Sequence, residues 1–390
     1  MKKIKIGLLV EEFFDKDLGG YGGYGMLARN YIARYLSNEE FEVEVIIGKN
    51  NSRESKVLER DGIKIHYIPR GFSYKYDFFY RRKMKKFFLE NKFDIYLSIE
   101  MPKIALEIFR VEKDKKLILW LQDPRPQKDW EEIKSLEISS EYESNLNYYK
   151  KIEKENIKIL EKLYKENRLK VITQGKFLIE KARDLYKIPK DLEITYVPNP
   201  VEIQEKFDIS KKRNSIIFLG RLDAVKRPWL YFEIAKKLPE YIFYVCGQSH
   251  EKTIMDPIIK KYSDIKNLKF LGHVTGAKKD EILSETKILV NTSIHEAIPV
   301  SFLEAISYGA KIVSCQNPDD ITKNNGYYTG VILGEGYDSV DKFKYGIEKC
   351  MLEYNEEEIK NSIEEISNNH SIGKFITNMK ELILEEVKNG

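Results

Sequence analysis

The sequence contains 390 residues, more than one hydrophobic core ordinarily supports, and we therefore predict two domains. Hydrophobic residues make up 42% and charged residues 33%, a balance that is typical of a soluble globular protein and excludes a disordered chain. The net charge of +4 does not indicate nucleic acid binding, and no apolar run approaches the roughly 18 residues that a membrane-spanning helix needs.

The N-terminal residues resemble a signal peptide only in outline. The apolar run Ile6–Val10 is short, and Glu11 and Glu12 follow it without a small-residue cleavage site, so we expect a buried first strand. The three cysteines are widely spaced and have no histidine cluster, which favours neither a disulfide nor a metal site. A reduced cytoplasmic setting fits this pattern best.

Short apolar runs alternate along the chain with longer stretches of helical pattern. A first series of predicted strands comprises Ile4–Val10, Val43–Ile47, Ile63–Tyr67, Ile95–Ile99, Leu117–Leu121 and Val171–Thr173. A second series comprises Ser215–Leu219, Ile242–Cys246, Leu268–Leu271, Ile288–Asn291 and Lys311–Ser314. Buried runs of this length between helices are typical of parallel strands joined by crossover helices. The sequence therefore predicts an α/β fold with two Rossmann-like, doubly wound domains.

The predicted boundary between the domains falls at the run Pro198–Asn199–Pro200. Proline ends the preceding element, and the charged stretch that continues to Arg213 is polar enough for a linker. We therefore expect an N-terminal domain at 1–198 and a C-terminal domain at 199–370. A long amphipathic helix in 371–390 follows, and it could pack on either domain.

The strongest candidate site is the run from His295 to Ala305, which follows the predicted strand Ile288–Asn291. Glu296 lies in the loop after this strand, and Glu304 lies eight residues later in the first turns of a helix that Pro299 suits at its start. In open α/β sheets, ligands bind beyond the carboxyl ends of the strands. Carboxylates accept vicinal sugar or ribose hydroxyls, and a helix start attracts phosphate, so this element could bind both ends of a sugar nucleotide.

A second candidate follows the predicted strand Ser215–Leu219. Arg221 and Lys226 leave the end of this strand within the run Gly220–Pro228 and can converge on one anion. Arginine offers a bidentate fork and lysine a point charge, a combination that suits a diphosphate. A basic surface turn is an equally good interpretation of this run taken alone.

A third candidate is the glycine-rich loop Gly19–Gly25, which precedes a predicted helix at Met26–Leu36. Glycine lets the backbone approach a phosphate closely and present its N–H groups. The loop matches neither the phosphate-loop motif nor the strict dinucleotide fingerprint. A plain flexible turn is therefore an open alternative.

These runs together resemble the donor-binding half of the family-four retaining glycosyltransferases, which have the GT-B fold with two Rossmann-like domains facing a central cleft. The resemblance extends over the whole chain and is specific from about residue 196 to 315. Glu296 and Glu304 match the family's two glutamates separated by seven residues, and Arg221 with Lys226 is similar to its basic pair. Further similar segments are Gly22–Gly23, Tyr196–Val201, Val245–Gly247, Phe270–Val274 and Ser307–Val313.

The resemblance implies a role for each matching residue. Glu296 would contact the hydroxyls of the donor sugar, Glu304 would bind the ribose, and Arg221 and Lys226 would neutralise the leaving diphosphate. Asp123 completes the expected catalytic set, although many relatives carry a histidine near this strand end and Gln122–Asp123 departs from that pattern. The remaining expected donor-binding residues are Gly22, Gly23, Gly247, His273, Val274, Ala297, Ile298, Pro299, Val300 and Ser301.

Two features of the N-terminal half have open interpretations. Asp123, before Pro124, could bind the acceptor or the transferred sugar, or it could shape a turn, and Glu100 is a second candidate of the same kind. The stretch 74–89 places Met84 and Phe88, among other apolar residues, at helical spacing between arginines and lysines. We interpret it as a core-facing stripe with a solvated basic face; a helix on an anionic membrane surface is the alternative.

The resemblance therefore implies a retaining, hexosyltransferase-type glycosyltransferase that uses a UDP- or GDP-sugar and requires neither metal nor cofactor. The expected acceptor is a glycan, a lipid-linked sugar or a protein, and no nucleic acid partner is expected. We expect the protein in the cytoplasm, with peripheral association at the inner face of the membrane as an open possibility. The alternatives are a sugar-nucleotide epimerase of the same fold and a non-catalytic partner subunit.

Overall fold

The computed structural model describes residues 2–13, 15, 18, 22–50, 55–69, 78–138, 142–204, 207–249 and 252–388. The chain forms two compact units, each assembled from more than one stretch of sequence. The first comprises Met1–Pro124, Asn147–Pro200 and Ile372–Gly390, and the second comprises Arg125–Leu146 and Val201–Ser371.

The first unit is built around an eight-stranded sheet. Its strands are β1 (Ile4–Val10), β2 (Phe41–Asn50), β3 (Lys56–Arg60), β4 (Ile63–Pro69), β5 (Ile95–Ile99), β6 (Leu117–Leu121), β7 (Leu169–Thr173) and β8 (Ile194–Tyr196). They lie in the order β3-β4-β2-β1-β5-β6-β7-β8, and all neighbours are parallel except β3 and β4. The chain winds outward from β1 in one direction and then, from β5, in the other, which is the doubly wound arrangement.

The second unit contains a six-stranded sheet that is parallel throughout. Its strands are β9 (Arg213–Leu219), β10 (Ile242–Cys246), β11 (Leu268–Gly272), β12 (Thr286–Asn291), β13 (Lys311–Ser314) and β14 (Gly326–Tyr328). They lie in the order β11-β10-β9-β12-β13-β14. All eleven strands predicted from apolar runs are present, and the predicted α/β fold is confirmed.

Crossover helices connect the strands, because parallel neighbours need a long return connection. The α-helices are Gly23–Met26, Arg34–Leu36, Phe78–Glu90, Lys103–Val111, Gln127–Ile133, Tyr142–Lys165, Leu178–Tyr186, Pro228–Lys237, Lys252–Lys261, Gly276–Glu285, Val300–Ser307, Ile321–Asn324, Val340–Leu352, Glu356–His370 and Ile372–Lys388. A π-helical stretch, Leu27–Ala33, joins the first two. No helix in the described part of the chain is long and apolar enough to cross a membrane.

The C-terminal helix belongs to the core of the first unit. Its apolar face buries Phe375, Met379 and Ile383, and the Phe375 ring stacks on Trp120 of β6 with the ring centroids 5.6 Å apart. Near its end, Glu386 forms an ion pair of 3.0 Å with Lys116. The apolar face of the predicted amphipathic helix therefore packs into the core of the first unit, against β6.

The second unit takes part of its core from residues 125–146, which the sequence analysis assigns to the N-terminal domain. Ile133 and Leu136 are buried in the core of the second unit. The backbone N–H of Glu137 donates to the Glu335 carboxylate at 2.7 Å, and the N–H of Gly334 donates to Ser135 Oγ at 2.9 Å. This short segment carries too few apolar residues for its sequence to indicate which sheet it covers.

The basic stretch predicted at 74–89 contains the helix Phe78–Glu90, while residues 74–77 lie outside the described residues. Met84 and Phe88 are buried in the core, whereas Lys85 and Lys86 are exposed. The core-facing stripe with a basic solvated face is thus present in this helix. Contact of the basic face with a membrane stays a prediction.

Removal of the Phe375 ring should destabilise the first unit strongly. We expect Phe375→Ala to lower the free energy of unfolding by about 3–5 kcal/mol, because it leaves a cavity against Trp120. Urea unfolding followed by tryptophan fluorescence measures this change. Leu89→Ala, at a side chain that is 64% exposed, is the control and should change stability by less than about 0.5 kcal/mol. Equal unfolding midpoints for the two variants would contradict the packing of this helix.

Candidate active site

Two loops of the second unit bring a lysine and a glutamate together. β9 and β12 are parallel neighbours, so the loops that follow them lie at the same edge of the sheet. Lys226 ends the short 3₁₀ helix after β9, and Glu296 lies in the loop after β12. Lys226 Nζ lies 2.5 Å from Glu296 Oε1, and both side chains are largely buried.

Glu296 is held through one of its two carboxylate oxygens. Oε1 accepts hydrogen bonds from Asn291 Nδ2 at 2.9 Å and from Ser293 Oγ at 2.6 Å, in addition to the Lys226 contact. No residue in the described part of the chain donates to Oε2. Burial favours the neutral acid, but Lys226, Ser293 and Asn291 outweigh it and lower the pKa of Glu296 below its ordinary value. The carboxylate is therefore ionised at neutral pH, with one oxygen available as an acceptor.

A buried arginine that the sequence analysis did not assign to the site joins the two loops. Arg227 is fully buried, has a left-handed backbone with φ 46°, and donates Nε to the carbonyl of Thr292 at 2.7 Å. Its Nη1 donates to the carbonyls of Ile332 and Gly334 at 3.0 and 2.7 Å. Thr292 Oγ1 in turn donates to the Lys226 carbonyl at 2.8 Å. A charged residue before a proline ordinarily indicates an exposed turn, so no sequence signal revealed this role.

Arg221 lies on the same turn as Lys226 and has a different partner. Arg221 Nη2 contacts Asp223 Oδ2 at 3.3 Å, and its side chain is 50% exposed. Asp223 also caps the 3₁₀ helix, because its Oδ1 accepts the N–H of Lys226 at 3.1 Å. The structure therefore places both predicted cations on one capped turn, with Lys226 on Glu296 and Arg221 at the exposed rim.

Glu304 has its own lysine, which the sequence analysis also did not assign. Lys279 Nζ, on the helix Gly276–Glu285, lies 2.7 Å from Glu304 Oε1 on the helix Val300–Ser307. Pro299 occupies the position before the second helix. Of the other residues expected to bind the donor in this segment, Ala297 and Ile298 are buried, while Pro299, Val300 and Ser301 are half-buried.

The residues expected near the nucleotide base follow β10 and β11, at the same edge of the sheet as β9 and β12. At Gly247 a Cβ atom would overlap the carbonyl oxygen of Gly220, so only glycine allows the two loops to approach each other. Leu222 N donates to the Gln248 carbonyl at 3.1 Å and fixes this approach. His273 is exposed and Val274 is buried.

In the first unit, the predicted glycine pair lies at a helix start that a carboxylate of the protein already occupies. Gly22 precedes the helix that begins at Gly23, and Glu12 Oε1 accepts the N–H of Gly25 at 3.0 Å. A Cβ atom at Gly22 would overlap the Glu12 carboxylate. Residues 19–21 of the predicted loop lie outside the described residues. The N–H groups that suit a phosphate therefore face an acidic side chain.

Asp123 and Glu100, the two open candidates of the N-terminal half, lie together at the carboxyl ends of β5 and β6. Glu100 has a left-handed backbone with φ 57°, and its Oε1 accepts the N–H groups of Gln122 and Asp123, both at 2.7 Å. Burial raises the pKa of Glu100 to about 7, although these two hydrogen bonds favour the charged form. Glu100 thus fixes the backbone that carries Asp123.

No group of three or more His, Cys, Asp or Glu side chains in the described ranges is placed to hold a metal ion. The three cysteines, Cys246, Cys315 and Cys350, are all free thiols and buried.

The raised pKa of Glu100 predicts a stability that falls as the pH rises. In the folded protein Glu100 keeps its proton up to about pH 7, whereas in the unfolded chain it loses the proton near pH 4.5. The free energy of unfolding therefore decreases as the pH rises through this range. We expect the wild type to lose on the order of 2 kcal/mol from this group between pH 5 and pH 8.

Glu100→Gln keeps the acceptor for the two N–H groups and removes the titration. Its free energy of unfolding should vary less between pH 5 and pH 8 than that of the wild type. Urea unfolding at several pH values measures this difference. If the free energy of unfolding changed equally with pH in the two proteins, the raised pKa of Glu100 would be contradicted.

Comparison with known proteins relates the second unit to a family. A model of the family described as glycosyl transferases group 1 matches residues 201–369. The O-antigen biosynthesis glycosyltransferase WbnH of Escherichia coli is 28% identical over 116 residues, which are 30% of this chain and 32% of WbnH. The chain thus matches about a third of the length of this curated relative.

Solved structures share the fold over nearly the full chain. Sucrose-phosphate synthase from Thermosynechococcus elongatus has a TM-score of 0.74 at 12% identity, with 100% of both chains covered. A glycosyltransferase from Rickettsia africae has a TM-score of 0.70 at 15% identity, also with 100% of both chains covered. Anabaena HepE in complex with UDP-glucose has a TM-score of 0.67 at 12% identity, covering 98% of this chain and 100% of HepE.

These similarities agree with the two α/β units of the fold. Residues 201–369 therefore match the glycosyl transferases group 1 family, and the chain shares the GT-B fold of these solved structures.

Proposed function

We propose that the protein is a retaining glycosyltransferase that moves a sugar from a nucleotide-sugar donor, such as a UDP- or GDP-sugar, to an acceptor hydroxyl. One observation carries this proposal: Lys226 and Glu296 form a largely buried pair in which Glu296 Oε2 has no donor among the described residues. An ionised carboxylate with one oxygen held and the other available suits the hydroxyls of a sugar. The pair lies within the region that matches the glycosyltransferase family.

Lys226 and Arg221 supply the positive charge that a departing diphosphate needs. The ammonium group of Lys226 has three N–H donors, and Glu296 Oε1 accepts one of them. The other two can turn towards phosphate oxygens without breaking the pair. Arg221 is half-exposed at the same turn and can exchange Asp223, at 3.3 Å, for a phosphate.

The proposed reaction breaks the bond between the anomeric carbon and the phosphate oxygen, and the electron pair leaves with the nucleoside diphosphate. The acceptor oxygen forms its new bond on the same face of the sugar, and its proton passes to the phosphate oxygen that has just departed. This step needs no protein nucleophile. The protein contributes positioning and a fixed positive field where negative charge develops. We propose that the two cations make a metal ion unnecessary.

The comparisons and the first unit guide the choice of substrates. WbnH is named for O-antigen biosynthesis and HepE binds UDP-glucose, so UDP-glucose and a bacterial surface glycan precursor are the first donor and acceptor to test. We assign acceptor binding to the first unit, where Glu100 holds the backbone of Asp123. The acceptor is a glycan, a lipid-linked sugar or a protein.

The proposed setting is the cytoplasm. With a lipid-linked acceptor, the basic face that includes Lys85 and Lys86 would bring the enzyme to the inner, anionic surface of the membrane.

Lys226→Ala should lower kcat by about 10²–10³-fold, because it removes a charge that acts most strongly as the diphosphate leaves. Glu296→Gln should cause a loss of similar size, since the amide forms weaker hydrogen bonds to sugar hydroxyls. Release of nucleoside diphosphate from a panel of nucleotide sugars measures both, and NMR of the product tests whether the anomeric configuration is retained.

Lys236→Ala is the matched control, since Lys236 also forms an ion pair, with Glu233 at 2.9 Å, but on the surface of another helix. It should keep nearly full activity. Normal turnover in Lys226→Ala and Glu296→Gln, or an inverted product, would overturn the proposal. A donor that is converted to its epimer without transfer would favour a sugar-nucleotide epimerase instead.

A further inference from the structure

The contact between Lys279 and Glu304 differs from the ion pairs on the surface of the protein. Its N–O distance is 2.7 Å, and the two side chains are only 22% and 12% exposed. Water screens such a pair less than an exposed one. The two residues are 25 positions apart and lie on different helices, so the contact does not stabilise either helix by itself.

A second contact ties the same two segments together. Burial raises the pKa of Tyr308, immediately after the helix Val300–Ser307, and the nearby carboxylate of Asp280, the neighbour of Lys279, raises it further. Two neighbouring residues of the helix Gly276–Glu285, Lys279 and Asp280, therefore interact with this segment.

Glu304 also repeats the pattern of Glu296. In both, a lysine contacts Oε1, and no described residue donates to Oε2. In each glutamate one oxygen is held by a lysine and the other remains able to accept a hydrogen bond from a ligand hydroxyl. This shared arrangement indicates that each lysine orients a carboxylate so that its second oxygen can bind a ligand.

We propose that Lys279 is a positioning residue for the nucleotide ribose: it fixes Glu304 so that Oε2 faces the ribose hydroxyls. This inference rests on the proposed function and on ribose binding by Glu304, the role that the family resemblance implies. A carboxylate that is ordered before binding loses less conformational freedom when the ligand arrives, and affinity rises accordingly. Lys279 therefore sets how strongly the site distinguishes a ribonucleotide from its 2′-deoxy form.

The test uses UDP, GDP and their 2′-deoxy forms, with dissociation constants measured by calorimetry on the full chain. The wild type should bind at least one ribonucleotide about tenfold more tightly than its deoxy form. In Lys279→Met the ribonucleotide should bind about tenfold more weakly, while the deoxy form changes little, so that the ratio approaches one. Lys279→Arg keeps a cation on Glu304 and should restore most of the discrimination.

Lys278→Met is the matched control, because Lys278 is the exposed neighbour on the same helix and its loss should leave the ratio unchanged. A lysine that only stabilised the fold would lower the melting temperature without changing the ratio of the two dissociation constants. If Lys279→Met kept the wild-type ratio, the inference alone would be overturned. If the wild type bound neither ribonucleotide, the proposed function would fail and the inference with it.

Discussion

The second unit depends on the contacts that offset the cost of burying the Glu296 carboxylate. An ionised carboxylate that loses its water is strongly destabilising unless other groups replace the lost interactions. Lys226, Asn291 and Ser293 do so at a single oxygen, at 2.5 to 2.9 Å. These residues come from the ends of two neighbouring strands, so the two loops must keep a fixed relation to each other. Arg227, in the loop after β9, holds the loop after β12 by donating to the carbonyls of Thr292 and Ser293.

This arrangement explains why a fully buried arginine is tolerated in the second unit. Its guanidinium donates to backbone carbonyls of two segments, 292–293 and 332–334, and contacts Cys315 Sγ at 3.2 Å. Burial lowers the pKa of Arg227, yet the surrounding acceptors satisfy the buried donors. Arg227 lies in the loop after β9, and its side chain binds the loops after β12 and β14, so one residue connects all three loops. The buried charge of Arg227 thus holds the backbone of these loops in place at this edge of the sheet.

The sequence predicted the strands well, because buried parallel strands are short, apolar and flanked by helical patterns. It missed β3, β8 and β14, which lie at sheet edges or contain only three residues and carry little apolar signal. Of the candidate site, Glu296, Lys226 and Glu304 could be named from the sequence around them and its resemblance to a known family. Arg227 and Lys279 could not, since their roles depend on contacts across 65 and 25 positions of chain, which no local pattern encodes.

The stacking of Phe375 on Trp120 has a consequence for the order in which the protein forms. N-terminal domains generally fold first as a chain leaves the ribosome. Here the first unit lacks part of its core until the helix Ile372–Lys388 has been synthesised, more than 170 residues after β8. The second unit needs Ile133 and Leu136, which emerge early. The later half of the chain can therefore complete its fold first, while the earlier half waits for the last helix.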